Sequence, residues 1–125
     1  MATYYKDLLV WQKSMRLVQI VYQSTQSFPE CERFGLAMQV RRAAVSIPSN
    51  IAEGQARKSS AEFAHFLTIA QGSLAEVETQ MIIACELGYL TSSAFNDFAD
   101  LHSEVSRMLS ALWSKIATNS DSTRN

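Results

Sequence analysis

A chain of 125 residues, 47% of them hydrophobic, is the size of one domain with apolar material for a single core. Four glycines and two prolines leave little for the turns of an all-β fold, and no apolar run approaches the roughly 18 residues of a membrane helix, so a helical, non-membrane protein is expected. The net charge of −1 conceals an asymmetry: residues 1–58 hold eight Lys/Arg against four Asp/Glu, and residues 59–125 hold three against eight. Either the two halves face each other, within or between subunits, or the basic half binds nucleic acid; packing is the reading we favour.

The start, Met1 to Asp7, lacks the apolar stretch and small-residue cleavage site of a secretory signal. Helix one is expected over 7–27. Leu8, Trp11, Met15, Val18 and Tyr22 recur at steps of three and four as a bundle seam, and Val10, Leu17, Val21 and Phe28 form a second row beside it. Lys6, Lys13 and Arg16 lie opposite, with Leu9 and Ile20 among them. Apolar cover this wide exceeds what one bundle needs and predicts a second surface to bury.

Helix two is expected over 34–57, with Leu36, Val40, Ala43, Ala44, Ile47 and Ile51 as its core row. Pro48 has no N–H for the carbonyl of Ala44, so a kink is expected there; two helices parted by a turn at Pro48-Ser49-Asn50 are the alternative. The apolar row keeps its phase across the proline, which favours one kinked helix.

Helix three, over 60–87, opens with Ser59-x-x-Glu62, a capping box in which serine oxygen and glutamate carboxylate satisfy two backbone N–H groups. Phe63, Leu67, Ala70, Leu74, Val77, Met81 and Ala84 follow in fours and threes, and Gly88 stands where a left-handed stop is wanted. Helix four, over 92–117, carries Phe95, Phe98, His102, Val105, Leu109, Leu112 and Ile116 on one seam. The polar residues 118–125 are expected to be a disordered tail. Short connections then make 1–117 a single-domain, all-α, antiparallel up-down-up-down four-helix bundle.

Candidate chemistry is sparse. Glu62-x-x-His65 has the spacing of half a carboxylate-bridged di-iron site, but the position three before His102 is Ala99, so no metal or other cofactor is expected. His102 reads as a buried histidine with a hydrogen-bonded partner. Neither cysteine has a nearby histidine, and no glycine-rich phosphate loop is present, so the chain does not read as an enzyme. Cys31 and Cys85 match no metal or redox spacing and are read as reduced thiols of a cytoplasmic protein.

A polar strip is harder to explain as ordinary surface. Gln39, Arg42, Ser46, Asn50, Glu53 and Arg57 follow one edge of helix two, and Ser73, Glu76 and Gln80 follow the matching edge of helix three. These residues are expected to form a hydrogen-bonded network between helices or subunits, with Arg42 opposite Glu76 or Glu53 as its ion pair; a polar ligand pocket is the alternative. Lys13, Arg16, Arg41, Arg57 and Lys58 are the candidate nucleic-acid contacts, with Arg41 expected to be exposed.

Asp7-Leu8-x-Val10-Trp11-Gln12, the run from Arg41 to Gly54, Gly72-Ser73-Leu74-Ala75-Glu76 and Gly88-Tyr89-Leu90 give the segment Asp7 to Leu90 a resemblance to a bacterial family. These are the four-helix bundle proteins first noticed in intervening sequences of 23S ribosomal RNA genes. The resemblance implies an up-and-down bundle and homopentamers. It also looks like a relative of the accessory protein of diversity-generating retroelements, a basic pentamer that binds nucleic acid and a reverse transcriptase. This chain differs from that relative in being slightly acidic. The expected function is therefore a non-enzymatic homo-oligomer that binds or scaffolds, its partner being itself and, beyond that, RNA, DNA or another protein.

Overall fold

The computed structural model describes residues 4–124, with side chains described to residue 119. Four helices dominate it: α1 (Leu9–Thr25), α2 (Leu36–Gln55), α3 (Ser60–Glu86) and α4 (Ser92–Arg124). Single 3-10 turns at Tyr5–Asp7 and Glu30–Glu32 precede α1 and α2, and no strand occurs among the described residues. Each helix runs antiparallel to the next. Contacts link α1 to α2, α2 to α3, α3 to α4 and α4 back to α1, while α1 and α3 make none and so occupy opposite corners of the square.

The α3 and α4 seams fill the core as their spacing predicts. Leu67, Ala70, Leu74, Val77, Met81 and Ala84 are buried from α3, and Phe98, Val105 and Leu109 from α4. Val40, Ala43, Ala44, Ile47 and Ile51 are buried from α2. In α1 the order of the two rows is reversed. Val10, Leu17 and Val21 face the core, whereas Met15 and Tyr22 of the expected main seam stand 38% and 42% exposed. Periodicity locates both rows but cannot rank them, and small Ser14 and Thr25, buried on the inner face, completed the true one unnoticed. Their hydroxyls are satisfied by the carbonyls of Trp11 and Tyr22 at 2.8 and 3.0 Å.

α2 is continuous through Pro48, so the alternative of two helices parted by a turn is not what the chain adopts. It lies closest to α3. A Cβ on Gly54 would meet Phe66 Cβ at 2.7 Å and Phe63 Cδ1 at 3.0 Å, so the glycine sets the spacing of the two helices at this level.

Local stop signals act as expected, with one change of detail. The Ser59 hydroxyl oxygen accepts from Glu62 N–H at 3.1 Å, but the Glu62 carboxylate accepts from that same hydroxyl and not from a backbone N–H. At the far end Gly88 has φ +80; its N–H donates to Cys85 O at 3.0 Å and Tyr89 N–H donates to Ala84 O at 2.9 Å, a Schellman closure. Helix four departs from expectation at its end. It continues through Arg124 where a disordered tail was expected from 118, and Asn125 lies outside the described residues. No glycine or proline follows Leu90 to stop it, and a nucleated helix extends through intrahelical bonds without burying anything further.

Candidate functional site

The polar strips of α2 and α3 meet at Ser46 and Ser73. Their hydroxyl oxygens are 2.8 Å apart, and Asn50 Nδ2 donates to both the carbonyl and the hydroxyl of Ser46, at 2.8 and 2.9 Å. The Ser46–Ser73 bond can run in either direction, since a hydroxyl donates once and accepts twice, so Asn50, Ser46 and Ser73 form one connected chain. Ser73 is buried and Ser46 and Asn50 are half-buried, which makes these bonds more valuable than surface ones.

A shallow cleft of about 380 Å³ opens beside this chain, lined by Gln39, Arg42, Ala43, Ser46, Ser73 and Glu76. The expected ion pair of Arg42 with Glu76 or Glu53 does not form. Glu53 is taken by Arg57 at 2.7 Å, four residues on and just past the end of α2. Glu76 accepts from Gln80 Nε2 at 3.2 Å. Arg42 is exposed and carries no ion pair among the described residues. Gln80 is buried, and its Oε1 has no hydrogen-bond partner among the described residues. The strip is thus a network at its centre, around Ser46 and Ser73, and an open polar cleft at the Arg42 end.

The candidate nucleic-acid contacts are scattered. Lys13 reaches α4 and pairs with Glu104 at 3.3 Å. Arg57, besides its bond to Glu53, lies over the Phe66 ring at 4.9 Å. Arg41 is half-buried, contrary to expectation: its Nε donates to Thr25 Oγ1 at 2.7 Å and its guanidinium covers the Tyr22 ring at 4.8 Å, tying α2 to α1. Only Arg16, on α1, and Lys58, just beyond α2, are exposed without such a contact among the described residues. A buried threonine facing an arginine two turns into the next helix has no recognisable spacing in sequence, which is why this contact was missed.

The remaining candidates have structural roles. His102 is buried with Nε2 2.8 Å from Leu74 O, so that nitrogen carries a proton, while Nδ1 stands 4.0 Å from Glu78 Oε2. His65 and Glu62 are both exposed, and no three His, Cys, Asp or Glu side chains are grouped to hold a metal ion among the described residues. Tyr89 O–H donates to Glu32 at 3.0 Å, which raises the phenol above its ordinary value and fastens the α3–α4 turn to the segment before α2.

A family model described as 23S rRNA-intervening sequence protein matches residues 6–111. The chain belongs to this family. The match runs past Leu90 well into α4, so the family pattern takes in three helices and most of the fourth. Within solved structures, the crystal structure of a protein of unknown function from the S23 ribosomal protein family of Bacteroides thetaiotaomicron is similar at 26% identity, covering 87% of this chain and 98% of that chain with a TM-score of 0.78. Comparison with curated proteins finds no match. Two of the four segments that carry the resemblance in sequence, Arg41–Gly54 and Gly72–Glu76, meet at Ser46 and Ser73. No described helix is long and apolar enough to cross a membrane.

Proposed function

We propose that this member of the 23S rRNA-intervening sequence family works as a non-enzymatic homo-oligomer, a pentamer, that binds or scaffolds other molecules. The observation that carries the proposal is α3. Its inner seam is fully used by the core, yet Ile69, Ile82, Ile83 and Leu87 on its other sides are 39%, 40%, 40% and 55% exposed. Large apolar side chains outside a helix's core seam, interspersed here with glutamates, gain by being covered. α1 and α2 add exposed Leu9, Met15, Tyr22 and Val45, so apolar residues on several sides of the bundle await a partner. The number five comes from the family likeness.

The make-up of the polar cleft supports the non-enzymatic part of the reading. Arginine, serine, glutamine and glutamate can position a partner, but no histidine or cysteine stands beside the serines to make one a nucleophile. A reducing, cytosolic setting accords with Cys31 and Cys85, both free thiols. Light scattering coupled to size exclusion should give a mass near five subunits; a monomer at micromolar concentration would end the proposal.

A further inference from the structure

We infer that the polar cleft between α2 and α3 binds a free amino acid with a small or polar side chain, its carboxylate at Arg42 and its ammonium at Glu76. This ligand class rests on the binding part of the proposed function and is independent of the number of subunits. Arg42 and Glu76 line the same cleft of about 380 Å³, yet no ion pair joins them among the described residues. Opposite charges at one cleft, each without a counter-charge, form a pattern that a zwitterion completes. An anion alone would sit against Glu76 and a cation alone against Arg42, so either would meet a repulsion for each attraction.

The α2 side of the cleft is rich in donors. Arg42 is exposed, and its guanidinium N–H groups have no acceptor among the described residues. Such a group takes a carboxylate on two parallel hydrogen bonds. Ser46 and Ser73 add a further donor. Their mutual bond at 2.8 Å uses the hydrogen of one hydroxyl, and Asn50 donates to Ser46 without taking the other. Whichever serine keeps it, one O–H in the cleft lining is left to donate to an occupant.

The α3 side offers acceptors instead. Glu76 Oε2 is held by Gln80 Nε2 at 3.2 Å, and Gln80 itself is only 8% exposed. On the same amide Gln80 Oε1 is buried without a partner among the described residues. Turning that amide over would set its oxygen against the carboxylate, which fixes the orientation. Glu76 is therefore steadied but not neutralised, and an ammonium supplies the donors this side lacks. Ala43 is the one apolar side chain lining the cleft. There is no wall for a large apolar side chain, and the volume lies at the small end of ligand sites.

Calorimetric titration of the full chain with a panel of free L-amino acids tests the site. Members with small or polar side chains should include one that binds with a Kd of about 1 mM or tighter. Its N-acetyl form lacks the ammonium and its carboxamide form lacks the carboxylate. Each of these, and each of Arg42→Gln and Glu76→Gln, should weaken binding about tenfold or more. Both substitutions are at exposed positions, circular dichroism checks folding, and the altered ligands probe the same contacts on the unaltered chain. No binding of any panel member up to about 10 mM, or full binding by Arg42→Gln, overturns the site. Loss with Arg42→Gln but not with Glu76→Gln or N-acetylation overturns the zwitterion and leaves an anion site. Light scattering on the same samples separates the ligand from the oligomer. A monomeric wild type that binds removes the pentamer and keeps the ligand. An assembly whose mass falls in Arg42→Gln shows that a second copy fills the cleft, and overturns the ligand.

Discussion

Arg41 and Arg42 are adjacent in sequence and have unlike surroundings. Arg41 is held by the Thr25 hydroxyl and the Tyr22 ring, so Arg41→Ala should cost about 1–2 kcal/mol, the sum of one hydrogen bond and a partly desolvated cation–π contact. Arg42 projects into the open cleft, and Arg42→Ala should change stability by no more than about 0.5 kcal/mol. Asn50→Ala belongs with the first, at about 1 kcal/mol, because it strips the donor from a half-buried Ser46 hydroxyl. Chemical denaturation of the three variants checks the order, and an Arg42 loss equal to that of Arg41 would mean that the cleft closes on it. Gln80 Oε1, buried beside Glu76, is the one buried side-chain oxygen without a partner among the described residues.

At the scale of the helices, α2 and α3 form the most closely apposed pair, and Gly54 governs how near they come. Gly54→Ala should destabilise the bundle by about 1–3 kcal/mol, since its methyl group meets Phe66 and Phe63 and forces the helices apart. Helix propensity alone predicts the reverse, a gain of about 1 kcal/mol from replacing glycine. Thermal melting decides between them, and a raised melting temperature would show that the two phenylalanines can yield. The same substitution at Gly72, where nothing lies near, should follow propensity in the isolated subunit.

For the whole molecule, the charge asymmetry resolves only in part. Lys13–Glu104 is the ion pair that joins the basic and acidic halves among the described residues, while Arg33–Glu30 and Arg57–Glu53 are local. With Lys13, Arg41 and Arg57 engaged, we expect nucleic-acid binding to be weak and to run through Arg16 and Lys58, with repetition around a ring the main source of avidity. Log K should fall by about 0.7–0.9 per contact for each decade of salt. Titration of labelled single- and double-stranded nucleic acid with wild type and Arg16→Glu/Lys58→Glu measures this. Tight binding that ignores both salt and the double variant would place the contact elsewhere.

Features set by neighbours along the chain were legible without coordinates. The four helices, the seams of α3 and α4, the Ser59 cap and the Gly88 stop all depend on residues within a few positions of one another, where helical geometry alone decides who is near whom. The polar strips of α2 and α3 were legible for the same reason, as edges of known helices. Which of two apolar rows on α1 faced inward was not, because both satisfy the helical period and only the position of α2 and α4 selects Val10, Leu17 and Val21. Nor was the partner of each charge: Arg41 turns to Thr25 and Glu53 to Arg57, and the predicted pair of Arg42 dissolves. A side chain's partner is chosen by distances of a few ångströms across helices, and only packing in three dimensions sets those.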